Sequence, residues 1–205
     1  MTLWTIVRHG TTEWMEEDRL HGSTDSPLSE RGRQEAARTA AWLARQPPFD
    51  ALYSSPAGRC LETARFFSDA VGLEVLVHPA LVEMDFGRLE GRRLPDLELP
   101  GQNWREQLER IAWYPWFRWN TERWRKVKAR TERLIAELVR NHPTGRILLV
   151  CHYGTHSALL TLLLNPPPVR HFGWRPIGPA AVTEVEVDPR GQGTLLRQNF
   201  RPDGT

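Results

Sequence analysis

The residues Leu3-Trp4-Thr5-Ile6-Val7-Arg8-His9-Gly10 decide how the rest of the chain is read. A short apolar run containing β-branched Thr5, Ile6 and Val7 suits a strand buried on both faces. It stops at an arginine, a histidine and a glycine, so it delivers a polar loop from its carboxyl end. In open α/β sheets that end is where ligands bind. Arg146-Ile147-Leu148-Leu149-Val150-Cys151-His152-Tyr153-Gly154 repeats the arrangement. Adjacent parallel strands would bring the two histidine loops together.

Working outward, Ser29 predicts a helix cap after Ser26-Pro27-Leu28, and Ala36, Ala37, Ala40, Ala41, Leu43 and Ala44 recur at helical spacing before Pro47-Pro48. Ala51-Leu52-Tyr53 predicts a second strand, residues 59–70 a helix stopped at Gly72, and 74–77 a third strand. Residues 121–140 predict a long helix with an apolar face of Trp124, Val127, Thr131, Leu134, Ile135 and Leu138. A helix over 155–164 follows the second histidine and breaks at Pro166-Pro167-Pro168, while 182–187 alternates with period two and pairs with 194–198. Pro95, Pro100, Gly101 and Pro115, with Trp104, Trp113, Trp116 and Trp119, mark an insertion over the sheet. The expected organisation is one domain over 1–205, with a small Trp-rich cap insertion at about 91–120 and a flexible tail from about 200.

The 205 residues carry 27 Lys+Arg against 25 Asp+Glu, and 40% are hydrophobic, which excludes a disordered chain. The longest apolar stretch, around 158–164, falls far short of the ~18–20 residues of a membrane span. Met1 is followed by no basic leader, and Cys60 and Cys151 form no Cys-x-x-Cys pair, so a cytoplasmic site and buried, inert thiols are expected. His78, His142 and His171 read as ordinary surface or core histidines. His152 and His156 stand at a metal-compatible i, i+4 spacing, but no glutamate lies between them as in a zinc-protease helix. Seven basic side chains against two acids over 118–133 suggest nucleic acid; a solvated helix face is preferred, and nucleic acid is not expected as a partner.

Two imidazoles, the guanidiniums of Arg8 and Arg59, and a carboxylate from Glu83-Met84-Asp85-Phe86-Gly87 therefore converge above one sheet. Guanidinium forks match phosphate oxygens, a neutral imidazole is a nucleophile at pH 7, and a protonated carboxyl group serves a leaving alkoxide. The set suits phosphoryl transfer through a phosphohistidine.

Arg8-His9-Gly10-Thr11-Thr12-Glu13-Trp14 resembles the opening signature of the histidine phosphatase superfamily, also called phosphoglycerate mutase-like. The segments at 25–36, 53–64 and 83–91 resemble further family segments in family order. The resemblance implies a three-layer α/β/α sandwich with a mainly parallel central sheet. It implies that His9 is the nucleophile, Arg8 and Arg59 bind phosphate, His152 stabilises the transferring group and Glu83 donates the proton. No metal and no other cofactor are implied.

Several positions depart from the family. Met15 replaces the usual phosphate-binding Asn, Tyr153 the Gly after the second histidine, and Ser157 a frequent Arg, while His21 precedes Gly22 where Gln or Thr is usual. His21, Gly22, Tyr153, Trp113 and Trp116 are expected at the substrate rim. The acid motif resembles the phosphatase branch, so hydrolysis of a small-molecule phosphate monoester is expected. A phosphoglycerate mutase, a metal-dependent hydrolase, and an RNA-binding or scaffolding protein on the same fold are the alternatives. A homodimer stays open.

Overall fold

The computed structural model describes residues 1–96, 122, 124–164 and 177–202. Strand β1 (Thr2–Arg8) lies between β4 (Gly145–Cys151), parallel to it, and β5 (Val182–Val187), antiparallel to it. The six-stranded sheet runs β3-β2-β4-β1-β5-β6, with β2 (Ala51–Ser54) parallel to both β4 and β3 (Val75–Val77), and β6 (Gly193–Phe200) closing a hairpin with β5. It is thus mostly parallel. Ile147, Leu148, Leu149 and Val150 are fully buried, as expected of a central strand.

Helices cover both faces. On one, α2 (Glu30–Leu43) and α3 (Gly58–Val71) pack Ala40, Leu43, Ala64 and Phe67 against Val7, Leu52 and Val150. On the other, α4 (Trp124–Asn141) and α5 (Tyr153–Leu164) pack Leu134, Leu138, Leu159 and Leu163 against Trp4, Ile6 and Leu149. The side chains at 4 and 6 point to one layer and that at 7 to the other, the alternation a strand imposes. The Ser29 hydroxyl caps α2 by accepting from Gly32 N at 3.2 Å.

Three details differ from expectation. A four-residue helix α1 (Glu13–Glu16), capped by Thr12, occupies the first polar loop; it is too short to show a period. Helix α5 starts at Tyr153, two residues early, because Glu83 holds its first turn. Trp124 is 37% exposed, so the buried face of α4 begins at Val127. Most of the cap insertion, including Trp104, Trp113, Trp116 and Trp119, lies outside the described residues, as do His171 and residues 203–205. Among the described residues no helix is long and apolar enough to cross a membrane.

Candidate active site

The carboxyl ends of β1, β2 and β4 deliver Arg8 and His9, the Ser55 turn before Arg59, and His152 to one place. His9 N donates to Cys151 O at 3.0 Å, which ties the two histidine loops together. The rings of His9 and His152 stand 5.2 Å apart at 65°. His9 is 2% exposed, and its Nδ1 lies 2.8 Å from Gly10 O. A carbonyl only accepts, so Nδ1 carries the proton and Nε2 keeps its lone pair. Burial, followed by the positive field of Arg59, holds the His9 pKa well below that of an ordinary histidine.

His152 is fixed at both nitrogens. Its Nδ1 accepts from Arg59 Nε at 3.2 Å and Nη2 at 3.0 Å, and its Nε2 lies 2.8 Å from the Ser55 hydroxyl. Burial and then Arg59 hold this imidazole neutral too. Arg59, fully buried, also donates from Nη1 to Thr24 O at 3.0 Å and Asp25 Oδ1 at 2.8 Å, and from Nη2 to Gly22 O at 2.6 Å.

Arg8 projects toward α5. Its guanidinium lies 5.5 Å from the Tyr153 ring centroid and donates to Ile177 O at 2.9 Å and to Met15 Sδ at 3.6 Å. Burial works against its charge, and Glu83 is the first of the groups that offset this. Glu83 is 8% exposed; its Oε2 accepts from Gly154 N at 2.9 Å, and its Oε1 from Thr155 N at 3.1 Å and Met84 N at 2.9 Å. A Cβ at position 154 would meet Glu83 Oε1 at 2.4 Å, so only glycine lets the carboxyl group seat on the first turn of α5.

Of the rim residues, His21 lies 5.8 Å from the His9 ring and 3.4 Å, through Nε2, from the Thr12 hydroxyl. Burial and Arg59 lower its pKa to about 4. Gly22 serves through its carbonyl, and a Cβ there would meet Met84 O at 2.2 Å. Tyr153 covers Arg8. Trp113 and Trp116 lie outside the described residues.

Cys60 and Cys151 are fully buried, and burial pushes both thiols up, away from reactive thiolate. His78 and His142 are satisfied by Glu137 and Tyr53. His156 is fully buried, and among the described residues neither of its ring nitrogens is bonded, while both nitrogens of His152 are engaged by Arg59 and Ser55. Among the described residues no group of three or more His, Cys, Asp or Glu could hold a metal ion.

Sequence reasoning missed the supporting residues. Ser55 sets the His152 ring; Glu35 accepts from Thr11 N and Oγ1 at 2.9 and 2.8 Å; Glu90 accepts from Ser23 N, Thr24 N and Phe86 N at 2.9, 2.6 and 2.9 Å. All three stand within or beside recognised segments, but nothing local marks them off from surface polar residues.

This sheet order, with helices on both faces and two histidines at adjacent strand ends, defines a phosphoglycerate mutase-like α/β architecture. The chain belongs to the histidine phosphatase superfamily (branch 1), whose family model matches residues 4–200. A probable phosphoglycerate mutase GpmB of Enterobacter sp. (strain 638) is 32% identical over 168 residues, 79% of this chain and 74% of that protein. The chain spans about half the length of several further proteins of that name. Among solved structures, the mycobacterial glucosyl-3-phosphoglycerate phosphatase in complex with VO3 superposes with a TM-score of 0.83 at 28% identity, covering 96% of this chain and 98% of that one. The alpha-ribazole phosphatase of Shigella flexneri gives 0.78 at 27% identity, covering 97% and 96%.

Proposed function

We propose that the protein is a metal-independent phosphomonoesterase that hydrolyses small phosphorylated metabolites through a phosphohistidine at His9. The observation that carries this is the His9 ring, held neutral with its Nδ1 proton on Gly10 O and its Nε2 lone pair unspent, between Arg8, Arg59 and His152. Nε2 attacks phosphorus, and the ester P–O bond breaks as Glu83 gives its proton to the departing alkoxide. Water then attacks the phosphohistidine, its proton passes to Glu83, and phosphate leaves with His9 restored. Arg8, Arg59 and His152 bind the phosphoryl oxygens and offset the charge that builds on them.

Brief reaction with labelled substrate followed by a denaturing quench should leave an acid-labile, base-stable label on the wild type and none on His9→Ala. Label persisting on the variant would assign the nucleophile elsewhere.

The names of the curated relatives favour a second reading, phosphoglycerate mutase. Glu83-Met84-Asp85-Phe86-Gly87 resembles the phosphatase branch and supports hydrolysis instead. Incubation with 3-phosphoglycerate separates the two, since a mutase returns 2-phosphoglycerate and a phosphatase returns inorganic phosphate.

We further assign Trp113 and Trp116, with His21 and Tyr153, to a rim that favours an aryl or nucleoside-like leaving group. Burying one ring is worth about a factor of ten to a hundred in kcat/KM. Trp113→Ala or Trp116→Ala should abolish a preference for such esters over phosphoglycerate. Retention of the wild-type ranking by both variants would reduce the insertion to a lid.

A further inference from the structure

We propose that Glu35 is a positioning residue for the nucleophile, acting on His9 through the peptide bond between Gly10 and Thr11; the inference rests on the reading of His9 as the phosphorylated group. That peptide is bonded at both ends. Its carbonyl, Gly10 O, accepts from His9 Nδ1 at 2.8 Å, and its N–H, on Thr11, donates to Glu35 Oε2 at 2.9 Å. A trans peptide is planar, with C=O and N–H pointing opposite ways, so the imidazole and the carboxylate sit at the two ends of one conjugated unit. Thr11 Oγ1 donates to the same carboxylate oxygen at 2.8 Å, and Glu35 is only 8% exposed.

A carboxylate that accepts from an amide N–H pushes electron density onto the amide oxygen and makes it a better acceptor. The hydrogen bond from His9 Nδ1 strengthens in turn, which keeps the proton on Nδ1 and the lone pair on Nε2. As Nε2 attacks phosphorus the ring gains positive charge, and the same acceptor stabilises it. An aspartate bonded directly to the histidine does this in a Ser-His-Asp triad; here one peptide stands between carboxylate and ring. Anchoring of the loop is shared with other residues. Ser29 N and Oγ donate to Thr11 O at 3.0 and 3.3 Å, and Gly10 N donates to Thr63 Oγ1 at 3.2 Å. Gly10 also packs against Gly32, whose carbonyl oxygen a Cβ at position 10 would meet at 2.4 Å. Arg31 Nε takes the other carboxylate oxygen, Oε1, at 3.0 Å and leaves Oε2 to the loop.

Glu35→Gln tests the proposal, because the Gln amide oxygen can still accept from Thr11 while the charge is gone. Arg31 has an exposed side chain and can turn away from the new NH2 group. Nuclear magnetic resonance of the isotopically labelled His9 ring, without substrate, is expected to show the proton on Nδ1 and far downfield in the wild type. In Glu35→Gln that resonance moves upfield. In single turnovers with an aryl phosphate, the rate of His9 labelling is expected to fall about 10–100-fold, the usual loss when the outer partner of a metal-binding histidine is removed. The half-saturating ester concentration stays unchanged. A folded Glu35→Gln with wild-type ring signals overturns the proposal whatever its rate, because the carboxylate then only anchors the loop. Shifted ring signals with an unchanged labelling rate overturn it as well. A wild type with the proton on Nε2 does so without any variant, so the test survives a Glu35→Gln that fails to fold. Absence of label on wild-type His9 would instead refute the phosphohistidine reading, while the ring signals, read without substrate, still decide whether Glu35 acts on the ring.

Discussion

Arg59 has five N–H bonds to give, and the folded chain accepts all of them, through His152, Thr24, Asp25 and Gly22. If Arg59 binds phosphate as proposed, the oxygen has to enter by exchange with one of these partners, and His152 Nδ1 receives two of the five donors. Released from Arg59, the His152 ring can take the tautomer that donates from Nδ1, because the Ser55 hydroxyl can turn to donate to Nε2. Glu83 has the opposite character, with three backbone donors fixing its carboxyl group and, among the described residues, no side chain hydrogen-bonded to it. Replacing it with Gln sets an amide donor against one of those N–H groups, which disturbs the site for every substrate alike. The proton is lost selectively. Glu83→Gln should slow esters of poor alkoxide leaving groups by about 10²–10⁴, the usual worth of general acid catalysis, and aryl esters far less. Rates for both ester classes, measured side by side, decide it, and equal losses would remove Glu83 from the acid role.

Glu90 staples two loops together beside the backbone pairing of Leu20 with Gly91 and Arg92. Its carboxylate accepts from Ser23 N, Ser23 Oγ and Thr24 N on one loop and from Phe86 N beside the acid motif. The first loop carries the carbonyls of Gly22 and Thr24 that aim Arg59, and the second carries Glu83. Burial raises the Glu90 pKa, but the hydrogen bonds from Thr24, Phe86 and Ser23 outweigh it, so the carboxylate sits below its ordinary range. Glu90→Gln keeps the shape and weakens the staple. Because the group is half-exposed, stability should fall by only about 1 kcal/mol. KM should rise more than kcat falls, since this loop aims Arg59, the arginine proposed to bind phosphate; an unchanged KM would show that the staple serves folding alone. The elements themselves were legible because their periods are strong: Val127, Thr131, Leu134 and Leu138 are buried on α4 as their spacing requires. The staple was not, because its partners across the gap, Thr24 and Ser23, lie 66 and 67 residues from Glu90 and leave no local pattern.

Across the whole molecule, the convergence of the two histidine loops was legible because each histidine motif ends an apolar strand, and β4 lies beside β1 despite their separation in sequence. What the sequence did not disclose is how dry that convergence is. His9, His21, His152 and His156 are all held below the ordinary histidine range, in each case first by burial, with His21 at about 4 and His156 at about 3. The unfolded chain protonates these groups near pH 6.5. Below that value it binds more protons than the folded chain, so stability is lost as pH falls from about 6.5 toward 4 and then 3. Each histidine contributes at most about 1.4 kcal/mol per pH unit. His156 allows the cleanest test, because among the described residues neither ring nitrogen has a partner to lose. Replacing an unbonded, buried imidazole with an apolar side chain of similar size removes a desolvation cost of about 1–2 kcal/mol. His156→Leu should therefore match or exceed wild-type stability in urea at pH 7. It should also show a shallower loss between about pH 6.5 and 4, by one histidine's share. A variant that is destabilised at pH 7 and keeps the full acid slope would mean that this imidazole is satisfied in solution and does not contribute to the acid limb.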